Sequence, residues 1–306
     1  MNDGFTPVRR CWICDGERLT PIHVARFDLH EYVHQDPPLA AYTGAAVPLL
    51  RCDRCGFAQP AALPSLPNYF DRMYDQRWSD EWVRAEHDGT YKDAVFADVL
   101  SGLAARLLPS RRRLLDVGAH AGRFITTARR AGWTAEGLEL NPKTGAFAAA
   151  ATGAPVHQGN VITFDADAAY DAVTLTDVLE HIPDPRTVLR RVHRFLAPGG
   201  CLAVKVPNGP AQRVKERARA RIHRGYRPSL ADNLVHVNHF APHSLSRALE
   251  REGFREVMVH PGAPELPPSG RAARFIRRFV FMFARAAPGG VHTPIALHLQ
   301  AYARRD

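Results

Sequence analysis

The sequence predicts an α/β protein: a doubly wound, mostly parallel seven-stranded sheet with a small cysteine-bearing lobe ahead of it. Three observations carry this expectation. From residue 111 onward apolar runs of strand length alternate with helical segments, the first of these runs ends in an acid followed by spaced glycines, and four of the five cysteines form two C-x-x-C pairs near the N-terminus. Strand and helix taken in turn imply parallel strands joined by right-handed crossovers, with helices on both faces and ligands at the carboxyl ends of the strands.

The elements follow in order. Tyr91 to Leu108 places Val95, Phe96, Val99, Leu100, Leu103 and Leu107 at helical spacing, and Pro109 stops it. RRLLDVG is a first strand, GRFITTARRAG a helix, TAEGLEL a second strand and PKTGAFAAAATG a helix. APVHQGN and DAVTLTDV are the third and fourth strands, PRTVLRRVHRFLAPGG a helix ending in a turn, and CLAVKVPN the fifth strand, in which Cys201 reads as buried. HSLSRALEREGF is a helix, and REVMVHPG and TPIALHLQAYARR complete the sheet. Three regions are expected: a lobe over 1–68, a helical linker or cap over 69–110 whose mixed aromatics and charges (YFDRMYDQRWSDEW) suit a cleft cover, and the sheet domain over 111–306. The proline-rich AQPAALPSLPNYF reads as a boundary or fixed crossing rather than an element.

A chain of 306 residues with 45% hydrophobic content can bury a substantial core. No apolar run approaches the roughly 20 residues that span a bilayer. MNDGFTPVRRC lacks the apolar core of a signal peptide, so a cytoplasmic location is expected. The formal charge of +9 is local: residues 211–228 carry seven Arg/Lys against one Glu, 266–305 carry seven Arg against no acid, and the remainder is net negative. Two basic inserts, 211–228 and 266–290, favour a grip on an anionic substrate or a membrane surface over a generally basic nucleic-acid scaffold. Within 271–285, Arg271, Arg274, Arg278 and Arg285 fall on one side of a helix and Ile276, Phe279, Val280 and Phe283 on the other. Such a helix either caps its own domain or makes peripheral membrane contact.

Cys11/Cys14 and Cys52/Cys55 offer two thiolate knuckles, and two knuckles complete a closed tetrahedral zinc site. Gly56 fits the turn after the second pair. A zinc-ribbon-like lobe with structural zinc is expected, because a closed four-thiolate site leaves no position for substrate.

LLDVGAHAG sets Asp116 ahead of Gly118 and Gly122 in the pattern D-x-G-x-x-x-G. Gly118 lets the backbone turn sharply, and Gly122 lets the next helix approach a nucleoside ligand without an intervening side chain. A dinucleotide site needs G-x-G-x-x-G so that a helix N-terminus meets the pyrophosphate. Asp116 would repel that group and attract the cationic amino group of a methionine moiety. Glu139, ending GLEL on the second strand, is placed to accept both ribose hydroxyls.

At this point the chain resembles the class I S-adenosylmethionine-dependent methyltransferases over about residues 90–306. LLDVGAHAGRF, GLELNP, HQGNV, YDAVTLTDVLEHIPDP, LAPGGCLAVKVPN and HFAPHSLSRALEREGF carry the likeness in order. The resemblance implies S-adenosylmethionine as cofactor. Asp116, Gly118 and Gly122 would hold its methionyl end, Glu139 the ribose, and Asn160 with Val161 the adenine, with Asp177 joining them after the fourth strand. The chain departs from the commoner pattern at His120, where glycine is usual, and at Asn160, where aspartate is common. The lobe, through VPLLRCDRCGFAQP and YFDRMYDQRWS, is similar to zinc-containing bacterial methyltransferases of sugars, glycans and natural products. It implies a small-molecule or glycan acceptor, anionic by the charge argument.

The sulfonium is an activated donor, so the enzyme must place a nucleophile in line and, for a hydroxyl or carbon acid, remove a proton. His181 in LEHIPDP is the first candidate base, and it could equally shape the pocket. His236 and His239 in NLVHVNHF are its rivals, with Tyr226 and Tyr91 weaker. Asp177, Glu180 and His181 could instead gather a divalent ion, as a related-looking cluster does in quinone O-methyltransferases. Two other function classes stand beside methyl transfer to a small acceptor: an RNA-modifying or nucleic-acid-binding protein, and a non-catalytic scaffold that keeps the cofactor fold. Nucleic acid is disfavoured because the knuckles lack interleaved basic and aromatic residues.

Overall fold

In a computed structural model of the chain, residues 4–75, 78–266 and 270–306 are described. Five short strands build the N-terminal lobe: β1 (Phe5–Pro7), β2 (Leu19–Arg26), β3 (Ala46–Cys52), β4 (Ala58–Pro60) and β5 (Ala62–Pro64). β2, β3 and β4 form an antiparallel meander, and β1 pairs with β5. The proline-rich stretch expected to carry no element therefore supplies both β4 and β5. Proline is tolerated on short edge strands, where the missing N–H is not needed by a neighbour.

Helices α1 (Tyr69–Asp75), α2 (Asp80–Asp88) and α3 (Asp93–Ala104) follow. The sheet domain then runs β6 (Arg113–Val117), α4 (Arg123–Arg130), β7 (Thr134–Glu139), α5 (Pro142–Thr152), β8 (Val156–Gln158), β9 (Tyr170–Thr176), α6 (Pro185–Phe195), β10 (Leu196–Pro207), α7 (Gly209–Ile222), α8 (Pro242–Arg251), β11 (Arg255–Pro261), α9 (Arg271–Ala286) and β12 (His298–Arg304).

The seven strands lie in the order β11-β12-β10-β9-β6-β7-β8. β6 through β10 pair in parallel, and β12 runs antiparallel to both β10 and β11. Chain order reverses between β6 and β9, since β7 and β8 lie on one side of β6 and the chain then crosses to β9 on the other. That switch point opens a crevice at the carboxyl ends of the two strands. Leu114, Leu115, Asp116 and Val117 of β6 are all buried, as a central strand covered on both faces requires.

α3 lies against the sheet, burying Val99 and Leu103, and the Tyr302 hydroxyl of β12 donates to the Asp98 carbonyl. Gly102 makes this approach possible, because a Cβ there would fall 2.1 Å from the Tyr302 ring. The lobe shares a core with the sheet domain: Phe57 packs on Phe240 with ring centroids 5.1 Å apart, and Ala58 and His239 exchange backbone hydrogen bonds.

Around the knuckles, Cys11 Sγ lies 3.5 Å from Cys55 Sγ and Cys14 Sγ 3.5 Å from Cys52 Sγ. All four sulfurs are buried and lie within 4.8 Å of one another. These separations are far beyond the roughly 2 Å of a disulfide. They suit a tetrahedron whose metal–sulfur bonds of about 2.3 Å set sulfurs about 3.8 Å apart. Gly56, at φ 76°, makes the turn after the second knuckle, and its N–H donates to the Cys52 carbonyl.

Candidate active site

The crevice at the switch point is a cavity of about 620 Å³, within the range of cofactor sites. Asp116, Gly118 and His120 from the end of β6, Glu139 from the end of β7, and Asn160 and Val161 after β8 all line it. Asp177, Val178 and His181 close its far side after β9.

Asp116 is buried and accepts from the Thr174 hydroxyl at 2.7 Å. Burial pushes its carboxyl up to about 7, with the Thr174 bond working the other way. A cation delivered beside it would restore the charged form. Glu139 is fully buried and bound at both oxygens: the His120 N–H donates to Oε2 at 2.7 Å and the Asn141 N–H to Oε1 at 2.9 Å. Asn141 then caps α5, its side chain accepting from the Lys143 and Thr144 N–H groups. Burial raises Glu139 above the ordinary carboxylate range, against the pull of its two backbone bonds. One ribose-binding candidate is thus already held by two segments of the protein.

The two glycines act differently. Gly118, at φ 77°, sits so close to the loop after β9 that a Cβ would come within 2.4 Å of Val178 Cγ2. Gly122, at φ 78°, does not line the cavity; a Cβ there would meet Thr152 at 2.7 Å and Ala148 at 3.0 Å. Its demand comes from α5 packing against the N-cap of α4, which corrects the expectation that it clears space for ligand.

His120 occupies the left-handed region, at φ 49°, where glycine would be unstrained. Its ring meets Trp82 and Trp78 edge-on at 4.9 and 5.2 Å, and the two indoles stack 3.8 Å apart. Burial, then Lys92, drives the imidazole down to about 4, so it is neutral at pH 7. The residue that departs from the commoner pattern is the anchor of an aromatic cover contributed by Trp78 and α2. The sequence hinted at a cover in its aromatic stretch, but not that His120 would hold it. Asp71 on α1 was also missed: Asn160 Nδ2 donates to it at 3.0 Å, while Asn160 Oδ1 accepts from the Ile162 N–H.

Asp177, at φ 57°, accepts from Lys205 Nζ at 2.6 Å and from Lys92 Nζ at 3.0 Å. Burial opposes its charge, yet Lys205 and then Lys92 hold the carboxyl well below the usual range. Glu180 beside it is pushed up to about 8 by burial and then by Asp177, and its Oε2 has no hydrogen-bond partner. The cofactor-site candidate Asp177 is therefore the centre of a buried charge cluster.

A second cavity of about 260 Å³ adjoins the first, sharing Lys92, Asp177 and His181 with it. Glu180, His236 and Glu265 are among its walls. His181 Nδ1 lies 2.6 Å from the Val235 carbonyl, which can only accept, so that nitrogen carries the proton of a neutral ring and Nε2 is the basic one. His236 meets His181 edge-on at 4.8 Å and is driven down to about 3 by burial, then by His181. His239 lines neither cavity; it is buried at the β4 contact and lowered to about 3 by burial. The structure thus brings His181 and His236 together and sets His239 apart. Tyr226 donates to Glu216 outside both cavities, and Tyr91 lies on the wall of the larger one, its hydroxyl 2.6 Å from Glu86. Ligand atoms of Glu180, His181 and His236 lie within 4.8 Å of one another, so the three could share one ion. Asp177, expected in that set, is engaged by lysines instead.

The switch-point crevice, the two acids and the doubly wound order define a class I S-adenosylmethionine-binding fold. A family model described as a methyltransferase domain matches residues 89–259, and the chain belongs to this family. Its sheet domain is of the S-adenosylmethionine-dependent methyltransferase type. The chain is 35% identical over 97 residues to a ubiquinone biosynthesis O-methyltransferase of Paracidovorax citrulli (strain AAC00-1), covering 29% of this chain and 41% of that protein. It is 32% identical over 116 residues to the protein of the same name from Xanthomonas axonopodis pv. citri (strain 306), covering 36% and 48%. The matches span less than half the length of these relatives. Among solved structures, the Haemonchus contortus phosphoethanolamine N-methyltransferase 2 superposes with a TM-score of 0.52 at 14% identity, covering 81% of this chain and 62% of that one. A chain from a Haloferax volcanii complex of a methyltransferase with its activator gives 0.52 at 17%, covering 74% and 96%. At these identities the likeness is one of fold.

Replacing His120 with glycine removes left-handed strain of about 1 kcal/mol. It also deletes two edge-on ring contacts worth about 0.5–1.5 kcal/mol each. The lost contacts sum to about 1–3 kcal/mol against that relief, so the denaturation midpoint should fall modestly, by no more than about 2 kcal/mol of stability, while tryptophan emission shifts to the red as the cover loosens. A large loss of stability with unchanged emission would contradict the anchoring role.

Proposed function

We propose that this enzyme transfers a methyl group to a hydroxyl of a small-molecule acceptor, a sugar, glycan precursor or secondary metabolite, with His181 as the general base. One observation carries the reading: His181 stands on the wall shared by the two cavities, and its Nδ1, 2.6 Å from the Val235 carbonyl, fixes the orientation of the ring there. The larger cavity suits the cofactor, which supplies the activated methyl on a sulfonium, and the smaller suits the acceptor. Asp116 would bind the methionyl ammonium, Glu139 the ribose diol, and Asn160 with Val161 the adenine. The relatives named as O-methyltransferases support oxygen as the acceptor atom. An anionic group on the acceptor suits the lysine on the wall of the smaller cavity, Lys92.

The test is methyl transfer from labelled cofactor to a panel of sugar nucleotides, glycans and phenols. An O-methylated product is expected, and His181→Gln should slow its formation by about 10²–10⁴ while leaving S-adenosylhomocysteine affinity unchanged in calorimetry. Products methylated only at nitrogen or carbon would overturn the reading. The Glu180, His181 and His236 cluster supports one rival, a divalent ion that orients the acceptor. That rival predicts that chelation abolishes turnover and that added metal restores it; the base reading predicts no effect.

Asp116 makes cofactor binding proton-coupled. With its carboxyl near 7 in the free protein, an arriving ammonium draws off about half a proton per site at pH 7. Affinity for S-adenosylhomocysteine should therefore rise as pH increases from about 6 to about 8. Calorimetry in buffers of different ionisation enthalpy measures the released proton, and Asp116→Asn should eliminate the release and weaken binding.

The four-thiolate cluster is proposed to hold structural zinc. Metal analysis should then find about one zinc per chain. Stripping it with a strong chelator should expose the thiols to modification and lower the melting temperature, because these sulfurs share a core with Phe57 and Phe240.

A further inference from the structure

α9 is a sixteen-residue helix whose apolar face points outward. Phe275, Phe279 and Met282 are 71%, 64% and 66% exposed, with Ile276 and Phe283 beside them. Intervals of three and four put these residues on one face of the helix. The opposite side makes the protein contacts: Ala284 is buried and Phe281 packs toward the sheet. Of the two arrangements expected for this helix, capping its own domain with the aromatic side is not the one observed, since that side lies in solvent. Arg271, Arg274 and Arg278 flank that face without an acidic partner among the described residues, and the helix contains no acid.

Two further observations bear on what covers it. The charge of Arg277 reaches the basic α7, where it helps lower the Lys215 ammonium after burial and Arg219. Arg277 also donates at 3.0 Å to the carbonyl of Glu265, whose carboxylate lies on the wall of the smaller cavity.

We infer that α9 is a membrane-docking helix that seats the enzyme on an anionic phospholipid surface. Exposed aromatic and aliphatic side chains would enter the interface between headgroups and acyl chains while the flanking arginines pair with lipid phosphates. A second copy of the chain is a poor occupant, because a two-fold contact through this face would bring one arginine row against another. No helix among the described residues is long and apolar enough to cross a membrane, so the contact is peripheral. Docking sets the smaller cavity near the lipid surface, where an amphiphilic acceptor would enter; this consequence alone rests on the proposed acceptor chemistry.

The test is co-sedimentation of the full chain with vesicles of phosphatidylcholine, with and without phosphatidylglycerol. Binding is expected only to the anionic vesicles. It should weaken as salt rises from about 0.1 M to about 1 M, which shortens the screening length from about 10 Å to about 3 Å. Phe279→Glu and Arg274→Glu should each cut partitioning by at least about tenfold, with melting temperature and S-adenosylhomocysteine affinity unchanged because both side chains are solvent-exposed. No binding to anionic vesicles overturns the inference, as does a soluble dimer that Phe279→Glu dissociates. Vesicle binding with no O-methylated product in the acceptor panel would leave docking intact and sink the acceptor reading.

Discussion

The Glu139 carboxylate is the joint on which the site depends. Its two oxygens receive the N–H of His120 after β6 and the N–H of Asn141 at the start of α5. A single buried acid therefore sets the shape of the first turn and the start of α5. Burying a carboxylate is costly unless it is bonded, and two backbone donors offset part of that cost. The arrangement also explains the strain at His120. Its N–H must point at Glu139 while its ring reaches Trp78 and Trp82, and the left-handed backbone at φ 49° accommodates both.

A second cluster of charge organises the boundary between the cavities. Lys205 lies on β10, almost wholly buried, and pairs with Asp177 at the end of β9; Lys92, just ahead of α3, reaches the other oxygen. Removing Asp177 would leave the buried Lys205 ammonium without its 2.6 Å partner, a larger penalty than a single pair returns. With Asp177 held ionised and Glu180 pushed up to about 8, the second acid keeps its proton near neutrality. That leaves the two neighbouring imidazoles, His181 and His236, without an ionised Glu180 beside them.

The sheet was largely legible from the sequence, because apolar runs and glycine turns record strand burial and connection directly. All seven strands of the sheet were located from local pattern, and Asp116, Glu139 and His181, named from pattern and resemblance together, fall on the wall of one cavity. The lobe was less legible. β4 and β5 hide in a proline-rich segment because their pairing is set by β3 and β1, neighbours that composition does not reveal. Gly122 was read as clearing space for ligand, whereas its neighbour is α5, since sequence gives a glycine's position without showing what approaches it. Likewise the amphipathic period of 271–285 was plain, but which face turns outward depends on the docking of Ala284 and Phe281, a tertiary fact.

The cover and the ligand site meet at α1. In its proposed role Glu139 would accept the ribose hydroxyls, with backbone donors already taking one lone pair on each oxygen. A carboxylate offers about four acceptor positions, so each oxygen keeps one for the ribose diol. α1 carries Asp71, bonded to the adenine-site candidate Asn160, so a ligand that engaged Asn160 would be linked to the contacts of that helix, each shifting the other by the same free energy. His120 and its tryptophans would stay outside that linkage, since their contacts are ring to ring.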